Sequence, residues 1–168
     1  MNEKAAYYIT KLQLEPHPEG GYFKEVYRAG EIYIAENLPG RYSGDRNFST
    51  SIYFLLEGRQ ISKFHKLDSD ELWHFYDRSS VRIYILKESK GLSEIVLGND
   101  LNKGEMFQTT IEKGNWFAAE VIDKSSYSLI GCTVSPGFDF KDFNLANRKE
   151  LIARFPSNEE LIRLFTNA

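Results

Sequence analysis

Phe64-His65-Lys66-Leu67-Asp68-Ser69-Asp70-Glu71-Leu72-Trp73-His74-Phe75-Tyr76 is the stretch whose reading decides the fold. Its second half alternates: Glu71, Trp73 and Phe75 share one parity, while Leu72, His74 and Tyr76 share the other. Period-two alternation in an aromatic segment predicts a β-strand. His65 and Glu71 are then carried at the margin of an apolar layer, as in a ligand pocket or a metal site. His74 lies three positions from Glu71, so a regular strand turns it to the opposite face, between sheets or toward a subunit contact.

Outward from this segment the chain is punctuated by turns. Ser49–Leu56 reads as a strong strand, followed by candidates at 62–64, 71–76, 81–86, 93–97, 106–111, 116–120 and 127–134. Gly91, Gly98-Asn99-Asp100, Lys103-Gly104, Lys113-Gly114-Asn115 and Asp123-Lys124-Ser125 separate them. Many short strands at such spacing predict an all-β sandwich or barrel, not βαβ units. Toward the N-terminus, residues 2–13 place apolar side chains at helical spacing behind Asn2 as cap. Pro16, Pro18 and Gly20-Gly21 end that helix, with His17 expected as a rigid turn residue. Tyr22–Arg28 reads as the first strand, and residues 29–48 as a long flexible loop. Beyond Pro136-Gly137, Asp139-Phe140-Lys141-Asp142 reads as a solvated turn. Residues 147–155 and 158–165 read as helices separated by Pro156. The expected organisation is one domain over 1–168: helix 1–13, β unit 22–135 and helical tail 147–165.

Composition bounds the function. With 168 residues, 42% hydrophobic and 14% aromatic, the chain can bury a core without disulfides. The single cysteine, Cys132, points to a reducing compartment and reads as an inert buried thiol. A net charge of −3 with both signs interspersed provides no basic footprint for nucleic acid or membrane. No secretory signal or membrane-length apolar run is evident. The expectation is a cytoplasmic protein with a small-molecule or protein partner.

Glycine-punctuated strands with a His…Glu pair opening one of them resemble the cupin superfamily. That resemblance implies a small jelly-roll barrel with two short motifs. Within the first, His65 matches the leading histidine and Glu71 the glutamate, while Leu67 stands at the second histidine and Arg78 at the closing glycine. Within the second, Gly114 matches the glycine, but Glu112 replaces the proline and Phe117 the histidine. Pro16-His17-Pro18-Glu19-Gly20-Gly21-Tyr22, Ser69–Tyr76 and Pro136-Gly137-Phe138 resemble one branch of small uncharacterised cupins described as predicted sugar epimerases. Pairing into homodimers is implied by the same resemblance, with the first strand available for exchange.

A metal-dependent cupin needs three or four N/O ligands; Leu67 and Phe117 are apolar, so only His65 and Glu71 would remain if a metal bound. The expectation is therefore no cofactor. By resemblance to the metal-free dTDP-sugar 3,5-epimerases, His65 is the candidate base, Glu71 its orienting carboxylate and a tyrosine (Tyr22, Tyr53, Tyr76 or Tyr127) the acid. An enediolate would need a positive partner, Lys63 or Arg28. Trp73, Trp116 and His74 complete the candidate binding residues. The expected function is metal-independent isomerisation or epimerisation of a sugar, nucleotide sugar or similar polar molecule. The alternatives are a non-catalytic ligand-binding cupin and a metal enzyme with a reduced ligand set.

Overall fold

The computed structural model describes residues 2–167. Helix α1 (Glu3–Lys11) begins at Asn2, whose side-chain oxygen accepts from the N–H groups of Lys4 and Ala5 at 3.0 and 3.4 Å. The strands follow as β1 (Glu15–Pro16), β2 (Tyr22–Arg28), β3 (Ile32–Tyr33), β4 (Arg46–Asn47), β5 (Thr50–Glu57), β6 (Ile61–Leu67) and β7 (Asp70–Arg78). Then come β8 (Val81–Lys87), β9 (Gly91–Leu97), β10 (Gln108–Ile111), β11 (Trp116–Val121), β12 (Tyr127–Ser135) and β13 (Phe143–Leu145). Helices α2 (Arg148–Arg154) and α3 (Glu159–Leu164) close the chain, α2 capped by Asn147.

The long strands form two antiparallel sheets, one ordered β1-β2-β5-β12-β7-β10 and the other β13-β6-β11-β8-β9. Alternation explains the burial: inward Phe54, Trp73, Phe75 and Ile130 of the first sheet meet Val81, Ile83, Ile85 and Phe117 of the second in one core. The outer face of the first sheet carries α1, packed on Leu55, Tyr127 and Leu129. On the outer face of the second, Phe64, Tyr84 and Leu86 are covered by Leu151 of α2, Ile162 of α3 and the adjoining Phe155 and Phe165. This is the expected jelly roll with an N-terminal helix and a helical tail, widened at both ends by β1 and β13.

Two expectations need correction. Residues 29–48 are not a free loop: they contain the β3–β4 hairpin and bury Tyr42 and Arg46. Asp142 is not solvated, for its carboxylate accepts two hydrogen bonds from the Arg46 guanidinium, at 2.7 and 2.5 Å. A buried carboxylate is stable only when so paired, and this pair ties the hairpin to the segment leading into β13. In sequence the partners lie 96 residues apart, so local pattern carries no sign of the pairing.

Candidate active site

The turn between α1 and β2 builds one wall of the site. Gly20 N–H donates to His17 O, and His17 N–H to Gly21 O, both at 3.0 Å. Gly20 adopts φ +121°, and a Cβ there would stand 2.1 Å from the Ile61 carbonyl oxygen. Only glycine permits so close a passage, and it carries Glu19 to the start of β6. There Ser62 Oγ donates to Glu19 Oε1 at 2.8 Å, and Glu19 Oε2 lies 3.2 Å from both His17 Nδ1 and His65 Nε2.

A bulge in β6 sets the second contact. Opposite β11, Phe117 pairs with His65 but Ala119 with Ser62, so β6 holds one extra residue. Each backbone group freed at Lys63 and Phe64 finds a partner. Lys63 N–H donates to Glu19 O, and Lys63 O faces His65 Nδ1 at 2.7 Å. Phe64 N–H donates to Phe165 O, and Phe64 O accepts from Ala146 N–H. Since His65 Nδ1 faces a carbonyl it carries the proton, and the Nε2–Glu19 contact then holds only with a further shared proton.

These groups open into a cavity of about 280 Å³ between the sheets. Glu71, Trp73 and Cys132 line the wall formed by β7 and β12; His65 and Leu67 reach in from β6 of the other sheet; Phe138, Phe140 and Phe143 stand among the lining rings. Arg28 also lines the cavity, its guanidinium held by Glu25, Asn47 and the Phe138 carbonyl.

The two carboxyls differ in charge state. Burial pushes Glu71 up to about 8, reinforced by the negative charge of Glu19, so it is mostly protonated at neutral pH. Burial opposes ionisation of Glu19 as well, but the facing His65 and His17 and the Ser62 hydrogen bond outweigh it and hold its carboxyl below the ordinary range. Burial draws His65 down, against the pull of Glu19 and the Lys63 carbonyl. The Cys132 thiol is pushed well up by burial and by Glu71, as expected for an unreactive thiol.

Of the residues singled out from sequence, His65, Glu71, Trp73 and Arg28 converge on the cavity. The expected pairing of Glu71 with His65 is corrected: the carboxylate against the imidazole belongs to Glu19. Lys63 does not line the cavity, because the bulge breaks its parity with His65. Tyr22 and Tyr53 pack on the outer cluster under α1. Tyr76 stands beside Tyr53 on that outer face, and Tyr127 donates to Asp77. His74 faces outward against Thr133; the β7–β12 irregularity falls beyond Phe75, too late to turn it inward. Trp116 lies outside under the Lys66 ammonium, 5.0 Å from its ring centre. Among the described residues no tyrosine lines the cavity. His17, expected as a turn residue, and Glu19, not singled out from sequence, also line the cavity; the signal available for them was the Pro16–Tyr22 block that carries the family resemblance.

The donor set does not fit a metal of the usual cupin kind. Leu67 lines the cavity and Phe117 packs on His65 where further ligands would stand, and no group of three His, Cys, Asp or Glu side chains suited to a metal ion occurs among the described residues. Among the described residues no helix is long and apolar enough to cross a membrane.

Two facing antiparallel sheets with an aromatic-lined cavity between them are the architecture of a cupin. The chain belongs to the cupin superfamily family DUF985, whose model matches residues 6–146. It is similar to the uncharacterized protein YML079W of Saccharomyces cerevisiae, 29% identical over 165 residues, covering 93% of this chain and 82% of that one. Among solved structures, a hypothetical protein from Leishmania major superposes with a TM-score of 0.88 at 30% identity, covering 98% of this chain and 99% of that one. Protein SO0799 from Shewanella oneidensis gives 0.85 at 35% identity, covering 97% of each chain.

Proposed function

We propose that this cupin is a metal-independent isomerase or epimerase that moves a proton at a carbon beside a carbonyl, in a sugar or similarly small polar molecule held in the barrel. One observation carries the reading: a His17–Glu19–His65 unit and the neutral carboxyl of Glu71 enter a single cavity, His65 and Glu71 from facing sheets. Titratable groups whose surroundings drive their proton affinities apart are the arrangement expected of an acid and a base.

The roles follow from which atoms are free. Both nitrogens of His65 are engaged, so it and Glu19 hold the shared proton and orient the cluster. His17 Nδ1 lies 3.2 Å from Glu19 Oε2 and 3.4 Å from the Glu19 backbone nitrogen; when Nδ1 carries the proton and donates it to the carboxylate, Nε2, which has no hydrogen-bond partner among the described residues, is left as the base. Glu71 supplies the acid that the absent tyrosine cannot. His17 takes the proton from carbon, and the C–H electron pair becomes the C=C of an enol. For an α-hydroxy carbonyl, Glu71 protonates the carbonyl oxygen and takes the proton of the neighbouring hydroxyl, and return of the carbon-bound proton from His17 to the former carbonyl carbon completes the isomerisation; protonation of the original carbon on its other face, by water, epimerises it.

The test incubates the protein with a panel of aldoses, ketoses, uronates and nucleotide-linked keto sugars in deuterated water, followed by NMR. Solvent deuterium is expected at the carbon beside the carbonyl for at least one member, with His17→Ala and Glu71→Gln each slowing it by about 10²–10⁴-fold. A panel member that binds yet never exchanges would support a second reading, a non-catalytic binding module. The observation favouring that module is the complete pairing of both His65 nitrogens.

A further inference from the structure

Two polar atoms in the cavity wall make no well-formed hydrogen bond to any described residue: Oε2 of Glu71 and the indole Nε1–H of Trp73, although the indole and the Cys132 thiol lie near enough to the Glu71 carboxyl to oppose part of its upward shift. Their residues are 7% and 1% exposed, sit two positions apart on the inward face of β7 and line the same cavity. Buried polar groups are nearly always paired. Two neighbouring orphans on one wall call for a group from outside the chain.

We infer that the Trp73 indole N–H and the Glu71 carboxyl O–H together receive one oxygen of the ligand, the carbonyl oxygen that gains negative charge when the adjacent C–H is deprotonated. This rests on the isomerase reading above and adds Trp73 to it. An indole N–H donates only, so its partner must be an acceptor. Glu71 has no ion-pair partner among the described residues, and a buried carboxyl without a cation keeps its proton and donates. Two donors meeting at one point suit an sp² or enolate oxygen with its lone pairs; a ligand ammonium would leave both unsatisfied.

The surroundings strengthen such a site. The rings of Phe54 and Phe117 flank the indole, with centroids 6.1 and 6.2 Å away, and against such apolar walls fixed donors stabilise developing charge more than water does. The electron count closes without a co-reactant. The proton passes from carbon to His17, the C–H pair forms the C=C bond, and the carbonyl π pair moves onto the oxygen between the two donors. Reversal restores the carbonyl. Benzene fits an apolar cavity of about 150 Å³, so about 280 Å³ leaves room for a substituted ring-sized molecule.

Small phenols of graded acidity, which mimic an enolate oxygen on a flat ring, serve as the probe. The chain has two tryptophans, so its amide–proton NMR spectrum holds two indole N–H signals, and the one missing in Trp73→Phe is that of Trp73. That signal is expected to move downfield on phenol binding, with Trp73→Phe binding about tenfold more weakly. An unmoved Trp73 signal at saturation, or equal affinity in Trp73→Phe, would overturn the inference. If the variant does not fold, the wild-type shift decides alone. Phenol binding with the shift but no deuterium exchange on the carbonyl panel removes the isomerase reading and leaves the donor pair standing. Exchange that Trp73→Phe retains in full removes the donor pair alone.

Discussion

Glu19 and Glu71 line one cavity and hold opposite proton preferences, which gives each a distinct signature in stability. Glu71 is raised from an ordinary 4.5 to about 8. Its contribution is complete below pH 4.5 and is lost as pH rises toward 8, because the unfolded chain ionises it first. The slope approaches roughly 1.4 kcal/mol per pH unit. Glu19 is lowered, so its contribution is present above the ordinary carboxyl range and is lost on acidification. Thermal melts from pH 3 to 9 check both signs. Relative to wild type, Glu71→Gln is expected to gain steadily between pH 5 and 8, while Glu19→Gln is destabilised near neutrality and converges with wild type in acid. Differences that stay flat with pH would show that neither shift is present. At this scale His65 and Glu71 were legible in sequence, since each is a polar residue on an inward strand position. Glu19 was not, because it is brought in by a turn and its partners Ser62 and His65 lie 43 and 46 positions away along the chain.

Among the elements, the Pro16–Gly21 turn and the β6 bulge act as one device. The turn passes so close to Ile61 that position 20 has no room for a side chain, and the Lys63 N–H freed by the bulge binds the Glu19 carbonyl. Gly20→Ala must therefore shift the turn away from β6 and withdraw the carboxylate from both imidazoles. A loss of about 2–4 kcal/mol is expected, visible as a lower melting temperature together with reduced deuterium exchange. A melting temperature within a degree of wild type would show that the turn yields without cost. Strand periodicity identified β7 and the parity of His74 correctly, yet the same rule misplaced Lys63. A bulge shifts parity by one residue and leaves no mark in the composition of the strand that carries it.

Over the whole molecule, the tail reaches the site through the backbone. Phe165 packs with Phe64 and Tyr84 on the outer face, and its carbonyl accepts the Phe64 N–H one residue before His65. Phe165→Ala should cost about 3–5 kcal/mol and also slow exchange in the cavity on the far side of β6. Calorimetry and the deuterium assay read the two effects. Loss of stability with exchange fully retained in the folded fraction would confine the tail to a covering role. The Arg46–Asp142 pair joins distant segments in the same manner, fastening the β3–β4 hairpin to the approach to β13.

By itself the sequence determined the β class, the helices at both ends and the inward parity of Glu71 and Trp73, because alternation, caps and breakers act over a few residues. Only the tertiary structure decided which carboxylate meets His65, that no tyrosine among the described residues lines the cavity, and that Asp142 is buried. Those outcomes depend on a bulge, a glycine-permitted close approach and pairings between remote segments, whose energies exist only once the two sheets face each other.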